Sequence, residues 1–317
     1  MVNFILYSLN VAAMKDWLMR QIRKNETAYL AFHRVYERLA TSALYHLFTP
    51  HSLEKRLSKI QHRLTSTDVT LDIKADSITI SKGGISIICT PASAEGFIAV
   101  FNSSEDAAML DYISRHIRKG MMLDVGANIG FFALTVAQRS PSAKIVCFEP
   151  VTGTYKGLCA NIALNGLGRR IVPHKLALGD REGSAFITTN LEGTNHLVKN
   201  GKKTERITIT TLDTFARKES LPHIALIKAD IEGVELLFLH GAEKMIRKHR
   251  PVIILELQLK WTTRYGYRPE EVFAFLRRLG YGYRIVTPRG LRTGSHYREL
   301  KGDLAAGNNF IFEPEEK

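Results

Sequence analysis

Apolar residues at Phe32, Val35, Tyr36, Leu39, Ala40, Ala43, Leu44 and Leu47 recur in steps of three and four, the spacing of one face of an amphipathic helix over 28–48. Ahead of it, MVNFILYSLNVAAM is apolar but stops at Lys15 and Asp16. That is too short to span a bilayer, and with no base before it and no small-residue cleavage site after it, a secretory leader is not expected. Two helices are predicted within residues 1–48. The period changes over 66–90, where DVTLDI, SITI and ISIIC alternate or run apolar in short stretches, and Lys82-Gly83-Gly84 between the last two predicts a hairpin. Ser103 and Ser104, followed by Glu105 and Asp106, mark a helix start, and Gly120 marks its end.

From Met121 onward, short apolar runs alternate with helical periods. MMLDV leads into a helix ending near Arg139, KIVCF into a helix over 154–164, and IVPHKLAL reads as the next strand. A β-rich insertion, AFITT and ITITTLDTF, precedes ALIKAD, a helix over 233–249, PVIILEL, a helix over 269–279 and strands at YRIVT and NFIFE. Alternation of this kind predicts an α/β fold with a mainly parallel sheet covered by helices on both faces. The chain divides into a basic helical extension (1–64), a small β element (65–94) and an α/β domain (95–317).

Composition narrows the class. At 317 residues, with 45% hydrophobic and 24% charged side chains, the chain can bury a sizeable core and is neither disordered nor fibrous. Cys89, Cys147 and Cys159 form no CxxC pair, so neither a disulfide framework nor a zinc cluster is expected, and a reducing, cytoplasmic setting is. The net charge of +13 is uneven: residues 1–64 carry 10 bases and 4 acids, 65–242 carry 19 and 18, and 243–302 carry 14 and 5. The two flanks, not the middle, are therefore expected to face something anionic, such as a phospholipid surface, a phosphorylated carrier or nucleic acid. For residues 1–64 two readings stand: a helical cap packed on the main domain or on a second copy, and a peripheral contact with the inner membrane surface.

The candidate chemistry begins at LDVGANIGFF. Gly126 allows a tight turn with its backbone close to a ligand, Gly130 allows close helix packing, and the amides of the new helix are expected to face a nucleotide-like cofactor. A dinucleotide loop wants a second glycine where this chain has Asn128, next to Ala127, and Asp124 just ahead of the loop is poorly placed near a pyrophosphate. It is better suited to the cationic ammonium of a methionine-like group, so the charge logic favours S-adenosylmethionine over NAD. Nineteen residues beyond Gly130, KIVCFEP ends in Glu149, the position at which a carboxylate accepts hydrogen bonds from both ribose hydroxyls.

After the strand ALIKAD, Lys228, Asp230, Glu232 and Glu235 crowd around Gly233, and charges at a parallel strand's carboxyl end are costly unless they serve a site. DVGANIG at 124, FEP at 148, NIALNG at 161, TLDTF at 211 and KADIEGVE at 228 together resemble the FkbM family of S-adenosylmethionine-dependent methyltransferases, and every fixed position of the family's K-x-D-x-E-G-x-E pattern is present. The resemblance is strongest over 121–257, and residues 1–65 lie outside it. It implies a class I, Rossmann-like methyltransferase fold with a seven-stranded sheet and usually an O-methylation, often of a sugar or other metabolite hydroxyl. By that match Asp124, Gly126, Ala127, Asn128, Gly130 and Glu149 carry the cofactor, and Ala177 and Leu178 border its adenine. The NPPY-type signature of many amino-group methyltransferases is absent.

A sulfonium methyl is already electrophilic, so such an enzyme aligns an oxygen and removes its proton. Asp230 is the first candidate for the base, with Lys228 and Glu232 tuning or holding it, and His196 is the other base candidate. Glu232 and Glu235 have a plainer reading as first-turn helix residues, favourable with the helix dipole, and His196 as a packing histidine. Asp230 and Glu256 both end strands, but no Asp-Asn or His ligand set accompanies Glu256, so no metal is assigned. The expected acceptor is a small molecule or glycan, with anionic and lipid-linked forms in view. Two alternatives remain: an RNA methyltransferase, disfavoured by the lack of basic-aromatic interleaving, and a non-catalytic cofactor-binding scaffold.

Overall fold

The computed structural model describes residues 69–74, 77–90, 93–117, 120–189, 195–198, 201 and 203–315. The expected helices of residues 1–48, and the basic extension to 64, lie outside the described residues. In chain order the elements are β1 (Thr70–Ile73), β2 (Ile78–Lys82), β3 (Ile85–Cys89), α1 (Ala94–Phe101), α2 (Ser104–His116), β4 (Met121–Val125), α3 (Phe131–Arg139), β5 (Lys144–Phe148), α4 (Thr152–Leu164), β6 (Ile171–His174), β7 (Ala177–Leu178), β8 (Gly183–Thr188), β9 (Leu197–Val198) and β10 (Thr204–Thr210). They continue with α5 (Leu212–Lys218), β11 (Ile224–Ala229), α6 (Glu235–Gly241), α7 (Glu243–His249), β12 (Val252–Glu256), α8 (Leu259–Thr262), a 3-10 turn (Thr263–Tyr265), α9 (Pro269–Arg278), β13 (Tyr281–Thr287), β14 (Gly290–Thr293), α10 (Leu300–Ala306) and β15 (Asn309–Pro314).

The main sheet runs β14-β13-β15-β12-β11-β4-β5-β6, eight strands where seven were expected. The eighth arises because the chain turns at Pro288 and Arg289 after β13 ends at Thr287, and β14 pairs back antiparallel on it. From β6 to β12 all pairings are parallel, and β15 runs antiparallel to both β12 and β13. The chain starts at β4, moves outward through β5 and β6, then returns to β11 on the other side of β4. The switch point between the carboxyl ends of β4 and β11 is where sheets of this kind bind ligands. Strands covered on both faces need continuous apolar runs, and MMLDV in β4 is buried at every position.

Local chemistry sets the helix starts. Ser103 accepts the Asp106 amide at 3.1 Å to cap α2, whose first turn carries Glu105 and Asp106. Thr211 does the same for α5 by accepting the Thr214 amide at 3.0 Å. TLDTF therefore opens a helix and does not extend the β-rich insertion, because a capping threonine outweighs the β propensity of the ITITT run before it. The expected helix over 233–249 is two helices, α6 and α7, broken at Ala242. IVPHKLAL also divides. Its first half joins the main sheet as β6, while Leu176 turns back by donating its amide to the His174 carbonyl at 3.0 Å. Ala177 and Leu178 then pair with β10 in a second sheet of order β7-β10-β8-β9.

The β1-β2-β3 sheet and the domain from 95, set apart by sequence, belong to one compact unit spanning Arg63–Lys317. Two asparagines one turn apart, Asn161 on α4 and Asn165 at its C-cap, dock β3. Asn161 accepts the Ile88 amide at 2.8 Å and donates to its carbonyl at 3.2 Å. Asn165 accepts the Ser86 amide at 2.8 Å and donates to its carbonyl at 2.7 Å. The NIALNG motif thus satisfies the edge of β3 with side-chain amides. Among the described residues no helix is long and apolar enough to cross a membrane.

Candidate active site

The turn after β4 is built by contacts within the protein. Gly126 has φ +79°, and a Cβ there would collide with the Asp230 carbonyl. Gly130 has φ +102°, and its Cβ would sit 2.8 Å from Leu158 of α4. The glycines are therefore required by the neighbouring strand end and helix. The loop amides are spent in the same way. Gly126 and Ala127 both donate to the Phe148 carbonyl at 3.0 Å, and Gly130 donates to Ala127 at 2.9 Å. Asn128, at φ +50°, donates to Glu149 Oε2 at 3.1 Å, while its own Oδ1 accepts the Ile129 amide at 2.8 Å. Amides 126 to 130 all have acceptors inside the protein, so the turn ahead of the helix is closed on itself. A loop so occupied has nothing to give a pyrophosphate.

Glu149 is the side chain that this loop positions. It is 7% exposed, and its other oxygen accepts the Val151 amide at 2.9 Å. Burial pushes its carboxyl up to about 7, against the opposing pull of the two amides from Val151 and Asn128.

A cavity of about 260 Å³ at the switch point brings together Gly126, Asn128, Glu149, Ala177, Leu178, His196, Asp230 and Glu232. Its apolar wall includes Val151, Ile187 and Ile207, a small buried cluster against which Ala177, Ala185 and Leu197 pack. An apolar wall beside an amide-anchored carboxylate suits a nucleoside whose hydroxyls donate to that carboxylate.

Asp124, Ala127, Gly130 and Lys228 are not part of the lining. Asp124 is 1% exposed, with the Lys228 ammonium 3.9 Å from its Oδ1 and the Ala133 backbone amide on its carboxylate. The strand register directs it to Lys228, its neighbour on β11, and not to a ligand's ammonium as expected from sequence. Burial pushes the Asp124 carboxyl upward, and Lys228 partly offsets this.

Lys228 also approaches Asp230 Oδ2 at 3.5 Å and lies 4.5 Å from the centre of the Phe132 ring. Burial alone would lower its ammonium pKa, but Asp230 and Asp124 outweigh that and hold it above the ordinary lysine value. Asp230, at the end of β11, is exposed over 37% of its side chain and reaches the cavity. Glu232, at φ +54°, precedes α6 and is pushed up to about 8 by burial, then by Asp230 and Glu235. Its Oε2 is buried without a hydrogen-bond partner among the described residues. Glu235 opens α6 and closes its own loop, accepting the Ile231 amide at 3.1 Å and the Gly233 amide at 3.2 Å. The first-turn reading therefore fits Glu235, while Glu232 belongs to the cavity.

Glu256 is the residue that sequence reasoning undervalued. It follows Leu255, which pairs with Ala229, so it stands across from Asp230 at the next strand end. Burial, then Asp230, pushes its carboxyl up to about 8. Gln258 donates to it at 2.5 Å. The sequence signal is an acidic residue ending an apolar strand after ALIKAD, which suggests a metal ligand but does not show its closeness to Asp230. Among the described residues, no group of three or more His, Cys, Asp or Glu side chains could hold a metal ion.

Comparison with known proteins places most of this region in one family. The family model of the methyltransferase FkbM domain matches residues 124–283. Methyltransferase sdnD of Sordaria araneosa is 31% identical over 156 residues, which cover 39% of this chain and 60% of that one. AMB antimetabolite synthetase AmbE of Pseudomonas aeruginosa is 25% identical over 201 residues, 51% of this chain and 9% of that one. The chain thus spans about three fifths of the first relative and a small part of the second. Among solved structures, methyltransferase FkbM from Methylobacillus flagellatus KT matches at a TM-score of 0.41 and 16% identity, over 71% of this chain and 55% of that one. A likeness of that size says nothing about the reaction.

Proposed function

The chain belongs to the methyltransferase FkbM family, and on that premise we propose that it transfers the methyl group of S-adenosylmethionine to a hydroxyl oxygen of a sugar, glycan or other small metabolite. The observation that carries this reading is one cavity lined by both Glu149, fixed by two backbone amides, and Asp230, beside a charged lysine. S-adenosylmethionine supplies an electrophilic methyl on a sulfonium sulfur.

The protein's own part is to bind, orient and move one proton. Glu149 accepts from the ribose hydroxyls, and Ala177, Leu178, Val151, Ile187 and Ile207 offer the adenine an apolar wall. Asp230 takes the acceptor's hydroxyl proton at its carboxylate, a contribution of about 10² to 10⁴ in rate. Lys228 does not line the cavity. It stays an ammonium and holds Asp230 in place from 3.5 Å. Burial, then the nearby Asp230, pushes Glu232 and Glu256 up to about 8, so both are largely protonated at neutral pH. His196, in the cavity wall, is the second proton acceptor to test.

The test is to incubate the protein with labelled S-adenosylmethionine and fractionated cell glycans, lipids and RNA. Base-stable label in a glycan or small-metabolite fraction supports O-methylation. Label in RNA, or in none of the fractions, overturns it. Calorimetry adds a check on the cofactor: S-adenosylhomocysteine binds and NAD does not.

A further inference from the structure

The polar face beyond the cavity carries information about the acceptor, given the methyl-transfer reading above. His196 lines the cavity, and its ring lies 6.2 Å from that of Trp261 in α8. The turn after α8 is fixed to the cavity wall, because Tyr265 Oη accepts the Leu197 amide at 3.2 Å. Two cations rest on the Trp261 indole: Lys260 Nζ is 4.7 Å and Arg264 Cζ 4.4 Å from the ring centre. Stacking on an indole orders a flexible cation and leaves its N–H groups to meet a partner, which suits the planar fork of arginine to carboxylate and phosphate.

The charge around these two cations differs from that around Lys228. Lys228 has Asp124 and Asp230 within 4 Å, whereas Lys260 and Arg264 form no ion pair among the described residues. The acid on which they act is Glu232, whose carboxyl they pull downward. Burial, Asp230 and Glu235 win there and hold it at about 8, so at neutral pH it stays largely protonated. Two ordered positive charges thus stand beside the cavity without a counter-charge.

We propose that Lys260 and Arg264, ordered on Trp261, bind an anionic group of the methyl acceptor, a carboxylate or a phosphate monoester carried close to the hydroxyl that is methylated. A neutral sugar would leave both charges unmatched. An acidic one places its anion on the pair while its hydroxyl faces Asp230.

The experiment saturates the full chain with S-adenosylhomocysteine and titrates it separately with D-glucuronate, glucose 6-phosphate and glucose. Calorimetry is the readout, with the fluorescence of Trp261, one of two tryptophans, as the second. At least one anion is expected to bind and glucose not to. Arg264→Gln and Lys260→Gln, both at exposed positions, should each weaken the anion about tenfold or more while leaving S-adenosylhomocysteine affinity unchanged. The two anions distinguish a carboxylate source from a phosphate source. Equal binding of glucose, full anion affinity in both variants, or no anion bound at millimolar concentration overturns the proposal. Failure of S-adenosylhomocysteine to bind is read in the first step, and it overturns the methyl-transfer reading on which the proposal rests.

Discussion

The loops after β4 and β11 meet at the same sheet edge and are built in opposite ways. In the first, backbone amides carry the structure: 126 to 130 are all satisfied locally, and their product is one fixed carboxylate, Glu149. In the second, side-chain charges carry it: Asp230 and Glu232 crowd against Glu256 from the end of β12 with one ammonium beside them, and Glu232 and Glu256 are raised to about 8. Lys228 joins the two loops by standing between Asp124 and Asp230. A loop made of spent amides can hold a ligand of constant shape, and the one proton it gives up, from Glu149, is released on binding and not in the transfer step. A crowded set of carboxyls is a poor rigid cradle, yet it offers groups whose protonation can change near neutral pH. The difference assigns cofactor holding to one loop and proton handling to the other.

The sharpest way to break this division is Asp230→Asn. The substitution keeps the size of the side chain and removes its basicity, so turnover with saturating acceptor should fall at least about 100-fold while S-adenosylhomocysteine affinity stays the same. Near-normal turnover would remove Asp230 from the role and pass it to His196. Lost cofactor affinity would mean that the second loop also holds the cofactor, and the division fails.

Next in size is Glu149→Ala. Hydrogen bonds to a charged group contribute about 1.5 to 3 kcal/mol each and do not simply add, so S-adenosylhomocysteine binding should weaken by about 2 to 4 kcal/mol. Calorimetry showing unchanged affinity would sink the ribose assignment. The same residue gives a pH signature. Burial has raised its carboxyl from 4.5 to about 7 in the ligand-free protein, and donors from a ribose favour the ionised form. Binding therefore expels the proton that Glu149 carries below pH 7. Affinity should rise about tenfold per pH unit on approaching 7 and level off above it. Calorimetry in buffers of different ionisation enthalpy reads the released proton directly, and Glu149→Gln should abolish both the release and the slope. A slope that persists in this variant would assign the proton to another group.

How much of this was legible in the sequence divides along the same line. The first loop could be read because its chemistry is local: a strand, glycines at fixed steps, then Glu149 at the end of the next strand. Even there the reasons differed from those expected. Gly126 is demanded by the Asp230 carbonyl, and the amides of 126 to 130 are closed within the turn. Asp124 was read as a ligand contact because its partner, Lys228, lies 104 residues away on a neighbouring strand, and only the β4-β11 register brings them together. The second loop's motif was visible at 228–235, but its electrostatics were not, since the burial of Glu232 and the opposition of Glu256 to Asp230 depend on strand packing. The Lys260-Trp261-Arg264 cluster left only a faint trace, two bases flanking a tryptophan after an apolar strand, with no period to mark it.

The smallest expected effect tests whether the first loop is as self-contained as it looks. Asn161 does more than dock β3: its Nδ2 also donates to the Ile129 carbonyl at 3.0 Å, next to the Asn128 amide that holds Glu149. Asn165, one turn away, docks β3 without touching the loop. Asn161→Ala and Asn165→Ala both strip partners from the backbone of β3, so each should destabilise the protein by about 1 to 3 kcal/mol in denaturant unfolding. Only Asn161→Ala should also weaken S-adenosylhomocysteine, by less than Glu149→Ala does, because it frees the Ile129 carbonyl and loosens the backbone that presents Asn128. If both variants weaken the ligand equally, the effect comes from losing the β1-β3 sheet as a whole. If neither does, the Asn128–Glu149 contact holds itself in place, and the first loop needs no support from α4.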